Sequence, residues 1–202
     1  MNGALNFFIS VWIKFFFLFT PFFALTMFLT MTHGYPDKQR SKLAFQITGA
    51  VGLLCFTLFF FGEIVFSLLG ITLDAFRIGA GALLFLSAVG LVQTKTMPAA
   101  PAPDDDIAVV PLAMPIIVGP ATIGTLLVLG AEIANPAQKL LGCLALVLAT
   151  VSVGTLLLLG SFVERILGRK VINILSKVTG LVLASLAAQM IFTGIHNFFV
   201  VP

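Results

Sequence analysis

Pro111-Leu112-Ala113-Met114-Pro115-Ile116-Ile117-Val118-Gly119-Pro120-Ala121-Thr122-Ile123-Gly124-Thr125 is an apolar stretch punctuated by three prolines and two glycines. Its surroundings read as a membrane helix, yet proline lacks an amide proton and its ring clashes with the preceding turn. In lipid, each peptide group freed by such a break costs several kcal/mol unless something satisfies it. A second interruption lies about half a chain earlier, at Thr20-Pro21-Phe22-Phe23-Ala24-Leu25-Thr26, where Pro21 and Thr26 have the spacing of Pro120 and Thr125. Paired interruptions at matching positions of two halves point to a transporter's binding site.

The 202 residues are 59% hydrophobic and 9% charged, where soluble domains average roughly 25% charged. The apolar runs are too long and uniform for the alternating strands of an outer-membrane barrel. The chain is therefore an all-α polytopic membrane protein. No small-residue cleavage site follows the first run, which reads as a retained span. The net charge of +3 comes from residues in short loops and implies no nucleic-acid partner. Cys55 and Cys143 stand among apolar neighbours without a C-x-x-C partner and read as small buried hydrophobes.

A span takes about 20 apolar residues. Six segments qualify: Leu5–Met31, Leu43–Leu69, Ile71–Val92, Ile107–Gly130, Leu140–Phe162 and Val178–Val201. Residues 94–106, with Pro98, Pro101 and Asp104-Asp105-Asp106, read as a surface linker between a first repeat, 1–93, and a second, 107–202. Loops after spans one, three and five hold Lys38, Arg40, Lys42, Lys95, Arg165, Arg169, Lys170 and Lys177, whereas Lys14, Arg77 and Lys139 lie opposite. The basic side is expected to be cytoplasmic, with both termini outside. The stretch from Phe162 to Lys177 is expected to lie along the cytoplasmic interface before span six. The shift that pairs Pro21 with Pro120 also pairs Leu58 with Leu157, Gly81 with Gly180, Leu84 with Leu183 and Ala88 with Ala187. Three spans per half make the repeats run oppositely, with broken spans one and four as counterparts.

Pro21 and Pro120 each suit the first position of a half-helix. Thr20 is placed to cap the first, and Gly119 to let the chain turn tightly before the second. Free N–H groups and the positive dipole end at such starts suit a carboxylate. Ala121, Thr26, Thr122 and Thr125 lie within the next turns, where the hydroxyls could face the same cavity. The competing reading is a pair of kinks healed by neighbours, with threonines bonded back to their own helices. Glu63 is an intramembrane carboxylate and a coupling candidate, against a structural role reaching water or Arg77. Asp74 and Arg77 read as a cap and an anchor or ion pair. Gln189 is open to helix-to-helix or substrate bonding. Gly49, Gly52, Gly79, Gly81 and Gly180 read as close helix contacts. His33 and His196 fall at opposite ends of the membrane, so no metal site is expected. There is no P-loop, no H-E-x-x-H and no placed Ser–His pair, so neither enzyme activity nor a cofactor is expected.

These motifs resemble the MarC family of bacterial inner-membrane proteins, over nearly the whole chain. The resemblance is carried by Ile107 through Pro115, Gly119-Pro120 and Ile123, by Gly70-Ile71, Asp74-Ala75-Phe76-Arg77-Ile78 and Gly81, and by Gln189-Met190 with Gly194-Ile195. The family commonly has Asn-Pro-x-Gly-x-x-Pro in its first span, where this chain has Thr20-Pro21, Phe23 and Thr26. Span one is accordingly expected to be less broken, with Phe22 and Phe23 crowding its site. The family includes small neutral amino acid transporters, so the resemblance implies movement of glycine or alanine, coupled to an ion gradient, across the inner membrane.

The sequence thus predicts a secondary transporter or exporter of a small zwitterionic amino acid, embedded in lipid. Thr20, Pro21, Thr26, Gly119, Pro120, Ala121, Thr122, Thr125 and Gln189 are its expected binding residues. The alternatives are a non-transporting membrane scaffold or an exporter of another small solute.

Overall fold

A computed structural model describes residues 2–93, 117–133 and 135–200. Seven helices occur among them: α1 (Asn2–Leu18), α2 (Pro21–Met31), α3 (Asp37–Leu69), α4 (Leu73–Gln93), α5 (Pro120–Glu132), α6 (Pro136–Leu158) and α7 (Gly160–Val200). Among the described residues there is no strand. Five segments are long and apolar enough to cross a membrane, α1 and α2 together forming one of them, and α5 is a shorter apolar helix. Large apolar side chains cover the exterior, with Leu68 83% and Phe199 81% exposed, which only a lipid surround makes tolerable. The chain is a polytopic helical membrane protein.

Several expected boundaries shift. Spans two and five begin earlier than their apolar runs, at Asp37 and Pro136. The fourth expected span lies outside the described residues over 107–116, as does the linker 94–106, and its remainder is a short connection followed by α5. The stretch from Phe162 to Lys177 is not one separate segment. α7 kinks at Gly168 (φ 74°, ψ 155°), so only Gly160 to Leu167 is distinct from the long helix that follows.

Span one is fully broken where expected, and at the second expected interruption a helix starts at Pro120, with 107–116 outside the described residues. α1 stops at Leu18, Thr20 takes the left-handed conformation (φ 47°, ψ 56°), and α2 restarts at Pro21. This is a strained place for a β-branched residue. Loss of the family's Asn, Gly and second Pro does not heal the break, because Pro21 alone removes the donor and bars Thr20 from the right-handed helix. At the second break the roles invert. Gly119 is merely extended (φ −82°, ψ 175°), a shape any residue adopts, so its glycine freedom is not what turns the chain.

The principal interfaces join helices of the first half to helices of the second: α4 with α7, α1 with α6, α3 with α5 and α6, α4 with α5, and α2 with α6 and α7. The halves are interleaved. Phe15 of α1 and Phe59 of α3, both fully buried, meet edge to face at 6.0 Å in the core. α4 and α7 run antiparallel and touch through reciprocal small residues. A Cβ on Gly81 would stand 3.1 Å from the Ala187 carbonyl oxygen, and one on Gly180 would stand 3.0 Å from that of Ala88. Gly62 and Gly130 likewise admit the backbones of Leu127 and Phe59 across α3 and α5. Gly52 makes only ordinary contact, with Thr150, and Gly49 and Gly79 have nothing within 4 Å, so these last two are not the close contacts expected. Replacing Gly79 by alanine should therefore leave thermal stability unchanged or raise it by up to about 1 kcal/mol.

Candidate functional site

The two breaks converge. A cavity of about 230 Å³ is lined from the first break by Leu18, Thr20 and Phe23, and from the second by Gly119, Pro120, Ala121 and Thr122; α4 and α7 complete it with Leu84, Ser87, Gly90, Leu91 and Leu183. One water takes about 10–15 Å³ of such space, so a solute of several heavy atoms fits. No described lining residue is charged.

The local chemistry follows from the helix starts. The first ladder bonds run from Ala24 N–H to Thr20 C=O and from Ile123 N–H to Gly119 C=O, each 2.9 Å. The amides of Phe22, Phe23, Ala121 and Thr122 precede those ladders and are the donors a helix start leaves over. Contrary to expectation, Thr20 does not cap α2 with its side chain. Its hydroxyl is buried and has no hydrogen-bond partner among the described residues. Thr122 Oγ1 donates to the Ile117 carbonyl at 3.1 Å, which leaves its oxygen free to accept.

The remaining expected residues are elsewhere. Pro21 is buried at the start of α2 but is not among the lining residues, and only one of the two crowding rings, Phe23, lines the cavity. Thr125 and Gln189 line a second cavity, of about 90 Å³, with Lys14, Arg77, Glu132 and Thr193. Thr26 lines a third, of about 40 Å³, with Leu29, Thr30, Glu164 and Arg169. The hydroxyls of Thr26 and Thr125 donate back to Phe22 and Ala121 carbonyls, each at 2.8 Å. The three threonines therefore do not face one cavity: one turn along a helix rotates and lifts a side chain away from the break. Leu18 and Leu84, each 2% exposed, border both the central and the Arg77-side cavities and separate them.

Arg77 is 5% exposed and bonds Asp74 at 2.6 Å and Glu132 across helices; Asn197 donates to the same Asp74 oxygen at 3.1 Å. The expected ion pair thus exists, with Glu132 as an added partner. At the opposite end Arg40 bonds Ser161 (2.6 Å) and the Thr32 carbonyl, and Arg169 pairs with Glu164 at 2.5 Å. Glu63 belongs to α3, but its side chain lies outside the described residues. Sequence reading missed Leu18, Leu84, Leu183, Ser87, Lys14 and Glu132. The shift of 99 residues between Leu84 and Leu183 was a signal for two of them, and an isolated carboxylate closing an apolar run was one for Glu132.

The sequence profile described as MarC family integral membrane protein matches residues 5–199. The chain belongs to the MarC family. It is 38% identical to a UPF0056 membrane protein of Methanocaldococcus jannaschii over 96% of this chain and 98% of the relative. Similar MarC-type relatives are the UPF0056 membrane proteins YvbG of Bacillus subtilis, 29% identical over 96% of each chain, and YhcE of Escherichia coli, 27% identical over 94% of each. No solved structure matches.

Proposed function

We propose that this MarC-family protein is a secondary transporter of small neutral amino acids of the glycine and alanine class, working by alternating access between inverted halves. One observation carries the reading: two half-helix starts supply one cavity with no charged residue in its described lining. Their leftover N–H groups suit a carboxylate, and the oxygens of Thr20 and Thr122 suit an ammonium. A net charge would be left uncompensated there, whereas a zwitterion would not.

The 99-residue shift supports the inverted arrangement. Thr20 and Gly119, Phe23 and Thr122, and Leu84 and Leu183 are counterparts, and all six line the central cavity. Thr26, Leu29 and Thr30 line the Arg169-side pocket, and their counterparts Thr125, Val128 and Leu129 line the Arg77-side cavity. Flanking pockets built from equivalent residues on either side of a shared centre are what alternate exposure of one site requires. The basic residues gather on the Arg169 side, which supports a cytoplasmic placement of that side with both termini outside.

Proteoliposomes loaded with alanine should show counterflow of labelled alanine, and absence of counterflow for glycine, alanine, serine and threonine would remove the substrate class. Thr20→Val gives a sharper result. It keeps the β-branched shape and deletes a buried hydroxyl that has no partner among the described residues, so thermal stability should rise by about 1 kcal/mol. Alanine affinity should nevertheless fall about tenfold, the weight of one charge-assisted hydrogen bond. Unchanged affinity would remove Thr20 from the site.

A further inference from the structure

We infer that the Arg77-side cavity is a second binding site, a vestibule for carboxylates in which Lys14 meets the carboxylate group. Lys14 is on α1 six residues before Thr20, so it sits only about 9 Å from the break along the helix axis at roughly 1.5 Å per residue. Half the hydrocarbon layer is about 15 Å thick, so a break near the midplane leaves Lys14 inside the apolar layer. A bare ammonium there is costly, and lysines near a span's end ordinarily reach for the surface. Lys14 instead lines the cavity on the face of α1 that carries Leu18, one turn deeper.

Its charge is otherwise unused. Arg77, the other cation on the cavity wall, is engaged by Asp74 and Glu132. Lys14 makes no ion pair or hydrogen bond among the described residues. Gln189 is exposed and lines the same cavity, so an amide shares this space with the ammonium and the carboxylate of Glu132. This juxtaposition offers a cation for a carboxylate, with Glu132 and the Gln189 oxygen for an ammonium. The cavity, about 90 Å³, shares the Leu18 and Leu84 wall with the central one, so a solute held by Lys14 is next to the barrier it must cross. Carboxylate recognition rests on this cavity alone; naming the solute an amino acid rests on the transport reading above.

The test is ligand-induced thermal stabilisation of the purified full-length protein at constant ionic strength, with sodium propionate, propylammonium chloride and alanine as probes. Propionate should raise the melting temperature beyond a chloride control, and propylammonium should not. Lys14→Gln should raise the half-saturating propionate concentration at least about tenfold, and Lys14→Arg should retain the response. No propionate response in the wild type, or equal responses in wild type and Lys14→Gln, would overturn the vestibule. Should Lys14→Gln not fold, loss of the propionate response in Lys14→Arg would overturn it as well. A Lys14-dependent propionate response without alanine counterflow would overturn the transport reading and leave the vestibule standing.

Discussion

Replacing Arg77 by methionine should destabilise the folded protein by about 3–5 kcal/mol, the cost of stranding the partners of a buried cation. Arg77 is 5% exposed and ties α4 to α5 through Glu132 and to its own first turn through Asp74. Without it the two carboxylates lose the cation they share, and of its hydrogen bonds Asp74 keeps the one that Asn197 donates. Thermal unfolding in detergent measures the loss. Adding Asp74→Asn and Glu132→Gln to Arg77→Met should restore most of it, because the stranded charges go with their partner. A loss below about 1 kcal/mol would mean the cluster behaves as a solvated surface pair.

Gly130→Leu should be at least as damaging, beyond about 3 kcal/mol, since overpacking a fixed contact commonly costs 1–3 kcal/mol and here the obstacle is backbone. The hydrogen of Gly130 faces the Phe59 carbonyl oxygen, and Gly62 faces the Leu127 backbone in return. A flexible side chain could move aside; two helix backbones locked by reciprocal glycines cannot without separating α3 from α5. The readout is the yield of monodisperse protein and its melting temperature, with Gly79→Ala as the control in open space. A Gly130→Leu variant that melts like the wild type would show that α3 and α5 can part.

Much of this architecture is legible in the sequence because lipid leaves a chain few options. Long apolar runs must be helices, so the membrane class and most spans follow from composition alone. Pro21 and Pro120 announce both breaks, since a missing donor and a ring clash act locally and need no partner to be seen. The same locality explains the errors. Thr20 and Gly119 exchanged their expected roles because left-handed and extended backbones are chosen by how the next helix packs, not by residue type alone.

What the sequence by itself determined is therefore the helical membrane fold, its two interruptions and the residues standing at them. Tertiary structure decided which of those residues share a space. It gathered Thr20 with Gly119, Pro120, Ala121 and Thr122, sent Thr26 to one flank and Thr125 with Gln189 to the other, and turned Lys14 from a loop-side charge into a cavity wall. The physical reason is that helical position fixes only the direction of a side chain relative to its own axis. The neighbour it meets depends on how interleaved helices cross, and those crossings are set by glycines whose partners lie about a hundred residues away, as Gly81 and Ala187 do.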